Sequence, residues 1–183
     1  MSSTSSNSTL SSSSTVSSSS TDSSLTSSST QSLYNLCVIV KPHAINFVPD
    51  ILHEISQKGW TVQKFSKCRL SIDFVKSFYA QHVDKWFFDR LRCSMTYSDV
   101  FCMMVYAPIS EVRSWIGPTD PEEARTKYPD SLRARFGIQL PNNVIHASDS
   151  VEEANRELGV CTRHLIWSNT KSNTNPKSTT VKS

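Results

Sequence analysis

The sequence predicts an α/β sandwich built as one domain, and three observations lead to this prediction. Apolar, β-branched runs that are typical of buried strands alternate with segments whose apolar residues recur at helical spacing. The length of 183 residues corresponds to a single domain. Both ends of the chain are polar, so the core is expected between residues 32 and 167.

The first three predicted elements are a strand, a helix and a strand. The run Leu36–Lys41 predicts a buried strand that ends at Pro42. Asn46 is the predicted cap of a helix that stops at Gly59. Trp60–Leu70 alternates well enough for a second strand. Because this strand follows the helix directly, it could pair beside the first, as in ferredoxin-like units.

Helices and a third strand are predicted in the middle of the chain. Ser71 is a plausible cap for a second helix, and Trp86–Leu91 is typical of a further short helical segment. Val100–Tyr106 predicts the third strand. A short amphipathic helix is expected between Pro108 and Gly117.

The last predicted elements follow a long connection. Residues 118–131 contain three prolines and many charges, which favours a loop or irregular segment. Asn143–Ser148 predicts a short strand. Ser150 and Glu153 fit a capping box at the start of a final helix through Leu158. The predicted order is therefore β-α-β-α-α-β-α-β-α.

The two ends of the chain have the composition of disordered tails. Residues 1–30 contain 18 Ser and 6 Thr with one acidic residue and no basic one. Such a stretch buries too little apolar surface to offset the entropy of ordering its backbone. We therefore predict a disordered Ser/Thr-rich tail over residues 1–31, a folded domain over 32–167 and a disordered polar tail over 168–183.

Charge and cysteine usage narrow the possible functions. The net charge of +3 is too mild for a dedicated nucleic-acid binder, although it favours a phosphate-bearing ligand. Five cysteines without a C-x-x-C pair favour a reducing compartment and disfavour a structural zinc site. No apolar run approaches the length of a membrane span, and the N-terminal tail lacks the apolar core of a signal peptide. A cytoplasmic location is expected.

The segment from Asn142 to Glu157 carries the clearest chemical signal. His146 lies at the end of a predicted strand, and small residues after it leave room for a substrate. Asp149 lies at the start of the next helix, where backbone N–H groups point outward. Glu157 follows about two turns later, where its carboxylate could fix the imidazole tautomer. A lone histidine beside a capped helix is more often structural, so the local pattern leaves both interpretations open.

Five sequence blocks occur in a fixed order between residues 33 and 160. They are V-K-P (40–42), F-Y-A-Q-H-V-D-K-W-F-F (78–88), R-S-W-I-G-P-T-D-P (113–121), S-L-R-A-R-F (131–136) and N-N-V-I-H-A-S-D-S (142–150). In sequence and order these blocks resemble the nucleoside diphosphate kinase family. The long segment Pro121–Ser131 resembles a divergent branch of that family.

The resemblance implies a fold, an activity and a site. The implied fold is a ferredoxin-like βαββαβ core with an antiparallel four-stranded sheet and added helices. The implied activity is transfer of the γ-phosphoryl group of a nucleoside triphosphate to a nucleoside diphosphate by a ping-pong mechanism through a phosphohistidine, with Mg²⁺ as cofactor. The implied roles are His146 as nucleophile; Lys41, Arg113, Thr119 and Arg133 on the phosphates; Phe87 and Leu140 on the base; Asn143 on the ribose; Tyr79, Ser148 and Glu157 in support; and Asp149 on the metal, directly or through water.

Several positions depart from the family pattern. His43 stands where the family usually has Asp after K-P, and Trp86 stands where it has Pro before the Phe pair. Arg135 replaces an Asp, and Ala147 replaces the commoner Gly. The departures at His43 and Arg135 leave an alternative open: a catalytically weak module of the same family that binds nucleotide or a protein partner.

Two further expectations concern assembly and the tail. The resemblance implies a homo-oligomer, at least a dimer, whereas the longer loop leaves the dimer-or-hexamer choice open. The composition of residues 1–31 permits a regulated or interacting segment without showing one.

Overall fold

The strands of the described residues form one antiparallel sheet. The computed structural model describes residues 32–170. The tail predicted over residues 1–31 lies outside the described residues, as do residues 171–183 of the tail predicted over 168–183. The strands are β1 (Tyr34–Val40), β2 (Thr61–Arg69), β3 (Asp99–Ala107), β4 (Ile145–Ala147) and β5 (Ser168–Asn169). Their order in the sheet is β4-β1-β3-β2-β5, and every neighbouring pair is antiparallel.

The first four strands confirm the predicted ferredoxin-like antiparallel core. One detail of the prediction was wrong, because β2 pairs with β3 and not with β1. The fifth strand was not predicted, since Ser168 was placed at the start of a disordered tail. Instead Ser168–Asn169 pairs with β2, and Thr170 Oγ1 donates a hydrogen bond to Val62 O at 2.7 Å. The sheet therefore includes Ser168 and Asn169.

Helices cover the sheet. They are α1 (Val48–Gln57), α2 (Ile72–Phe78), α3 (Phe88–Thr96), α4 (Ile109–Ile116), α5 (Pro121–Lys127), α6 (Leu132–Phe136) and α7 (Val151–His164), with short 3₁₀ helices at Pro42–Phe47 and Ala80–His82. None of the helices within residues 32–170 combines the length and apolar character needed to cross a bilayer.

From Leu36 to Val40, strand β1 is buried on both faces because helices pack against each side of the sheet. Leu36, Val38 and Val40 belong to a core that α1 and α4 complete. Cys37 and Ile39 point the other way, into a second core that α2, α3 and α7 complete. The period of two along a strand explains this division, and it matches the continuous apolar run in the sequence.

Helix starts follow the sequence signals in two places and differ in a third. The Ser71 and Ser150 hydroxyls accept the expected capping bonds, from Phe74 N and Glu153 N. The predicted cap at Asn46 is wrong: α1 begins at Val48, because the preceding residues already form a 3₁₀ helix. Two predicted helices are longer than expected, since α3 continues to Thr96 and α7 to His164.

The segment predicted as a loop over residues 118–131 contains a helix. The Asp120 carboxylate accepts from Glu122 N at 2.9 Å and caps α5, whose first residue is Pro121. Proline suits the first helical position because its missing N–H would have no helical partner there. Basic residues close this helix, which also suits the helix dipole. The prolines and charges therefore mark a helix start and end.

Candidate active site

A cavity of about 520 Å³ opens beside β4 and the end of β1. All the site residues predicted from the sequence line it except Ser148, which is fully buried. The lining comes from four segments that are distant in sequence: the residue after β1, the end of α2 through the start of α3, the segment from α4 to α6, and the stretch from Leu140 through β4 into α7. The fold therefore brings the predicted residues together in one place.

His146 lies at the middle of β4 and contacts a buried carboxylate. Its Nε2 is 2.7 Å from Glu157 Oε1, and Glu157 is only 2% exposed. Ser148 Oγ donates to the other oxygen, Oε2, at 2.6 Å. A carboxylate at Nε2 favours the tautomer with the proton on that nitrogen, which leaves Nδ1 with a free lone pair. The arrangement therefore presents one nucleophilic ring nitrogen.

Two aromatic rings fix the plane of the imidazole. The Phe78 and Tyr79 rings pack edge-on against His146, with centroid distances of 5.1 and 5.9 Å. Burial, and then the charge of Glu157, raises the pKa of Tyr79 far above its usual range, so the phenol stays neutral. Phe78 is buried and also lines the cavity.

Arg133 is buried and bound to the backbone. Its Nε donates to Asn143 O at 3.3 Å, Nη1 to Gly117 O at 2.8 Å and Nη2 to Ile145 O at 2.9 Å. Burial, followed by the nearby charge of Arg113, lowers the pKa of Arg133 to about 10. The guanidinium therefore stays charged at neutral pH, and donors beyond these three bonds remain for a ligand.

Lys41 is the second buried cation of the cavity. Its Nζ donates to Pro141 O at 2.7 Å. Burial, followed by the charge of Arg133, lowers the pKa of Lys41 to about 7. Near neutral pH both the charged and the neutral form of Lys41 are therefore populated, and an anionic ligand would favour the charged form.

Arg113 and Asp149 form an ion pair at the cavity wall. The Asp149 side chain is 68% exposed, so it remains open to solvent beside this arginine. Among residues 32–170, no three His, Cys, Asp or Glu side chains cluster closely enough to hold a metal ion by themselves. A single carboxylate does suit Mg²⁺ that arrives with a nucleotide, because Mg²⁺ is usually bound by one or two carboxylates together with substrate phosphates.

Asn143 places an unsatisfied acceptor in the cavity wall. Its Nδ2 donates to Thr119 O at 2.7 Å, whereas Oδ1 is buried without a hydrogen-bond partner among the described residues. A buried polar atom without a partner is costly, so a ligand hydroxyl that donates to Oδ1 would be favoured. The Thr119 side chain itself is exposed at the cavity.

The outer part of the cavity is aromatic. Phe87 and Leu140 both line it, and Arg90 Nη2 donates to Leu140 O at 3.3 Å. Trp86 is 85% exposed and meets the Phe87 ring edge to face, with centroids 5.8 Å apart. The sequence interpretation did not include Trp86 or Arg90 among the binding residues. The position of Trp86, an aromatic residue directly before the predicted base-stacking Phe87, could have indicated its place at the cavity.

A second concavity, of about 650 Å³, lies beside α4 and the link from α5 to α6. It contains none of the site residues predicted from the sequence. Its larger volume therefore does not make it the better candidate, because the buried cations and the oriented imidazole line the first cavity.

Comparison with known proteins gives a consistent result. Residues 35–164 match the family model described as nucleoside diphosphate kinase. The nucleoside diphosphate kinase of Methanocaldococcus jannaschii is 34% identical over 125 residues, which cover 66% of this chain and 87% of that protein. The enzyme of Saccharolobus islandicus is 31% identical over 127 residues, or 67% of this chain and 90% of that one. A crystal structure of the Aquifex aeolicus nucleoside diphosphate kinase superposes with a TM-score of 0.69 at 33% identity, covering 74% of this chain and all of that one.

Proposed function

This chain belongs to the nucleoside diphosphate kinase family, and we propose that it exchanges γ-phosphoryl groups between nucleotides through a phosphorylated His146. Membership of this family identifies the chain as a phosphotransferase that acts on nucleotides. The observation that carries the proposed mechanism is the bond between His146 Nε2 and Glu157 Oε1, because it leaves Nδ1 as the nucleophile.

In the first half-reaction, Nδ1 of His146 attacks the γ-phosphorus of the triphosphate. The N–P bond forms as the bond between the γ-phosphorus and the bridging oxygen breaks, and the diphosphate leaves with that electron pair. A second diphosphate then attacks the phosphohistidine and the steps reverse. Splitting the transfer in this way lets one site serve donor and acceptor in turn.

Positive charge supports both half-reactions. Phosphoryl transfer depends chiefly on positioning and on stabilising the charge of the phosphoryl oxygens. Arg113 and Arg133 supply planar donor forks, and Lys41 supplies a point charge; all three line the cavity, as does Thr119. Mg²⁺ bound with the nucleotide would offset phosphate charge, and Asp149 is the residue that would contact it, directly or through water.

Base and sugar recognition are assigned to the outer cavity. Phe87 offers a ring face for stacking, and Leu140 covers the other side of the base. Asn143 Oδ1, which has no hydrogen-bond partner among the described residues, would accept from a ribose hydroxyl. Because every base has a π-face, stacking on Phe87 predicts a broad nucleotide range.

Labelling with γ-labelled ATP tests the proposal. The protein should take up acid-labile label and then pass it to added CDP as labelled CTP. His146→Ala should abolish the label, whereas His53→Ala, which changes an exposed histidine on α1, should keep it. Label on the His146→Ala protein would overturn the assignment of the nucleophile. Tight ATP binding without label or exchange would instead favour the catalytically weak module.

Assembly and location complete the proposal. The family resemblance supports a homo-oligomer of at least two chains acting in the cytoplasm. Sedimentation at micromolar concentration measures the first point, and a monomer would contradict it. Imaging of a fluorescent fusion of the full chain tests the second.

A further inference from the structure

The backbone just before His146 adopts a rare conformation. Val144 has a φ of +71°, and the flanking residues close a three-residue turn through Ile145 N donating to Asn143 O at 2.9 Å. A γ-turn with a positive central φ is strained, and a β-branched side chain makes this region of φ still less favourable. Such a conformation persists only where the surrounding structure keeps it in place.

Three residues keep this turn in place from outside. His43 Nε2 accepts a hydrogen bond from Val144 N at 3.1 Å, and Lys41 N donates to Val144 O at 2.8 Å. Arg133 donates to the carbonyls of the residues on either side of Val144. Lys41 and Arg133 donate to carbonyl groups of the turn, whereas His43 accepts from the Val144 N–H. The contribution of His43 therefore depends on its side chain being a hydrogen-bond acceptor.

The chemistry of this contact fixes the form of the imidazole. A backbone N–H can only donate, so Nε2 must carry a lone pair and the ring proton must lie on Nδ1. Burial, and then the charge of Lys41, lowers the pKa of His43 to about 4, which keeps the ring neutral. Nδ1 is buried without a hydrogen-bond partner among the described residues. Core packing does not explain His43 well, because burying Nδ1 without a partner is costly. The hydrogen bond that Nε2 accepts from the strained turn explains it better.

We propose that His43 is a positioning residue: by accepting the Val144 N–H, it orients Asn143 and His146 on either side of the turn. This inference rests on the proposed function, since it gives His43 a part in nucleotide binding and in the reach of the His146 nitrogen.

Two substitutions separate the acceptor from the bulk of the side chain. His43→Leu removes the acceptor, whereas His43→Gln places an amide oxygen at about the reach of Nε2. At a temperature well below the unfolding of each variant, we expect His43→Leu to slow labelling of His146 from γ-labelled ATP by about 10- to 100-fold, the order that a small misplacement of reacting groups produces. It should also weaken ADP binding. His43→Gln should restore most of both.

The outcomes distinguish this inference from the proposed function. Label uptake by His43→Leu at the rate of the unchanged protein, with only thermal stability lowered, would overturn the role of His43 and leave the proposed function standing. If the unchanged protein takes no label, the proposed function fails, and ADP affinity in the two variants still decides the role of His43. Should the Leu variant not fold, His43→Asn replaces it, because its shorter amide ends near the position of Nδ1 and cannot reach Val144.

Discussion

His146 Nε2 lies 2.7 Å from Glu157 Oε1, and this contact joins the short strand β4 to helix α7. The same carboxylate accepts from Ser148 Oγ, which also accepts from Cys37 N on β1. The imidazole is therefore oriented by hydrogen bonds that connect two strands and a helix. A nucleophile supported in this way needs little rearrangement before it attacks.

Glu157→Gln should slow phosphorylation of His146. The amide can still contact Nε2, but it no longer favours the tautomer that leaves Nδ1 free, nor does it stabilise positive charge on the ring. We expect a loss of about 10- to 100-fold in the labelling rate, the range found when the partner that orients an imidazole ligand is changed. Glu152→Gln, an exposed change on the same helix, is the control and should label at the normal rate. Equal rates in both variants would contradict the role of Glu157.

Nucleotide binding should be coupled to proton uptake at Lys41. Its pKa of about 7 means that the free protein is partly deprotonated near neutral pH, and a bound phosphate would raise that pKa. Affinity for ADP should therefore fall as the pH rises above about 7, by roughly 10-fold between pH 6 and 8. Calorimetry in buffers of different ionisation enthalpy measures the uptake. In the Lys41→Met variant, the pH dependence of ADP affinity should reflect only the titration of ADP itself. If ADP affinity depended on pH in the same way in this variant as in the unchanged protein, the coupling to Lys41 would be refuted.

The sequence predicted most of the fold because the relevant signals are local. The run through Ile39 is apolar on both faces, and the caps at Ser71 and Ser150 satisfy N–H groups three residues away. Helix α5 was missed because Pro121 and the charges around it were interpreted as a loop. Strand β5 was missed because Ser168 and Asn169 are polar and pair at the sheet edge through their backbones.

The site could be predicted only in part. The blocks that carry Lys41, Arg133 and His146 are about 100 residues apart at most, and their resemblance to a family was the signal that joined them. Nothing in the sequence indicated the positive φ of Val144, because valine rarely adopts it. The contact from His43 to that residue depends on the turn, so it too could not be predicted.

Arg135 should stabilise the fold without affecting the reaction. It contacts both Glu54 oxygens, at 2.8 and 3.0 Å, and Trp115 Nε1 donates to the same carboxylate at 2.7 Å. Burial alone would raise the pKa of Glu54, but the bonds from Arg135 and Trp115 outweigh it and lower the pKa. We expect Arg135→Met to reduce the free energy of unfolding by about 1–2 kcal/mol at neutral pH, measured by urea titration.

The acid dependence and a control sharpen that prediction. Because the pKa of Glu54 is lowered in the folded chain, the stabilisation is present above the ordinary carboxyl pKa and is lost as the pH falls through the lowered value. The difference in free energy of unfolding between the unchanged protein and Arg135→Met should therefore become smaller at acidic pH. Arg92→Met removes an ion pair to the exposed Asp89 and should cost less than about 0.5 kcal/mol. An equal loss in both variants would show that the contacts of Arg135 add nothing specific.

Trp86 should report nucleotide binding by its fluorescence. It is 85% exposed at the cavity, whereas Trp60 and Trp115 are 7% and 8% exposed, so its emission is the most solvent-relaxed of these three. A base stacked on Phe87 would lie beside the Trp86 ring and exclude water from it. Saturating ADP should therefore quench the emission and shift it to shorter wavelength. Trp86→Phe should remove the change and Trp167→Phe should retain it.

The same ring should contribute to affinity. Loss of one aromatic contact to a base costs about 1 kcal/mol at the low end of stacking energies, so Trp86→Ala should weaken ADP binding roughly fivefold. Trp86→Phe should lose less, because an aromatic surface remains. Because purines present the larger ring surface, the loss should be greater for ADP than for CDP. Unchanged emission at saturating ADP, with equal affinities in all three proteins, would mean that the base lies away from Trp86 and that its exposure has another cause.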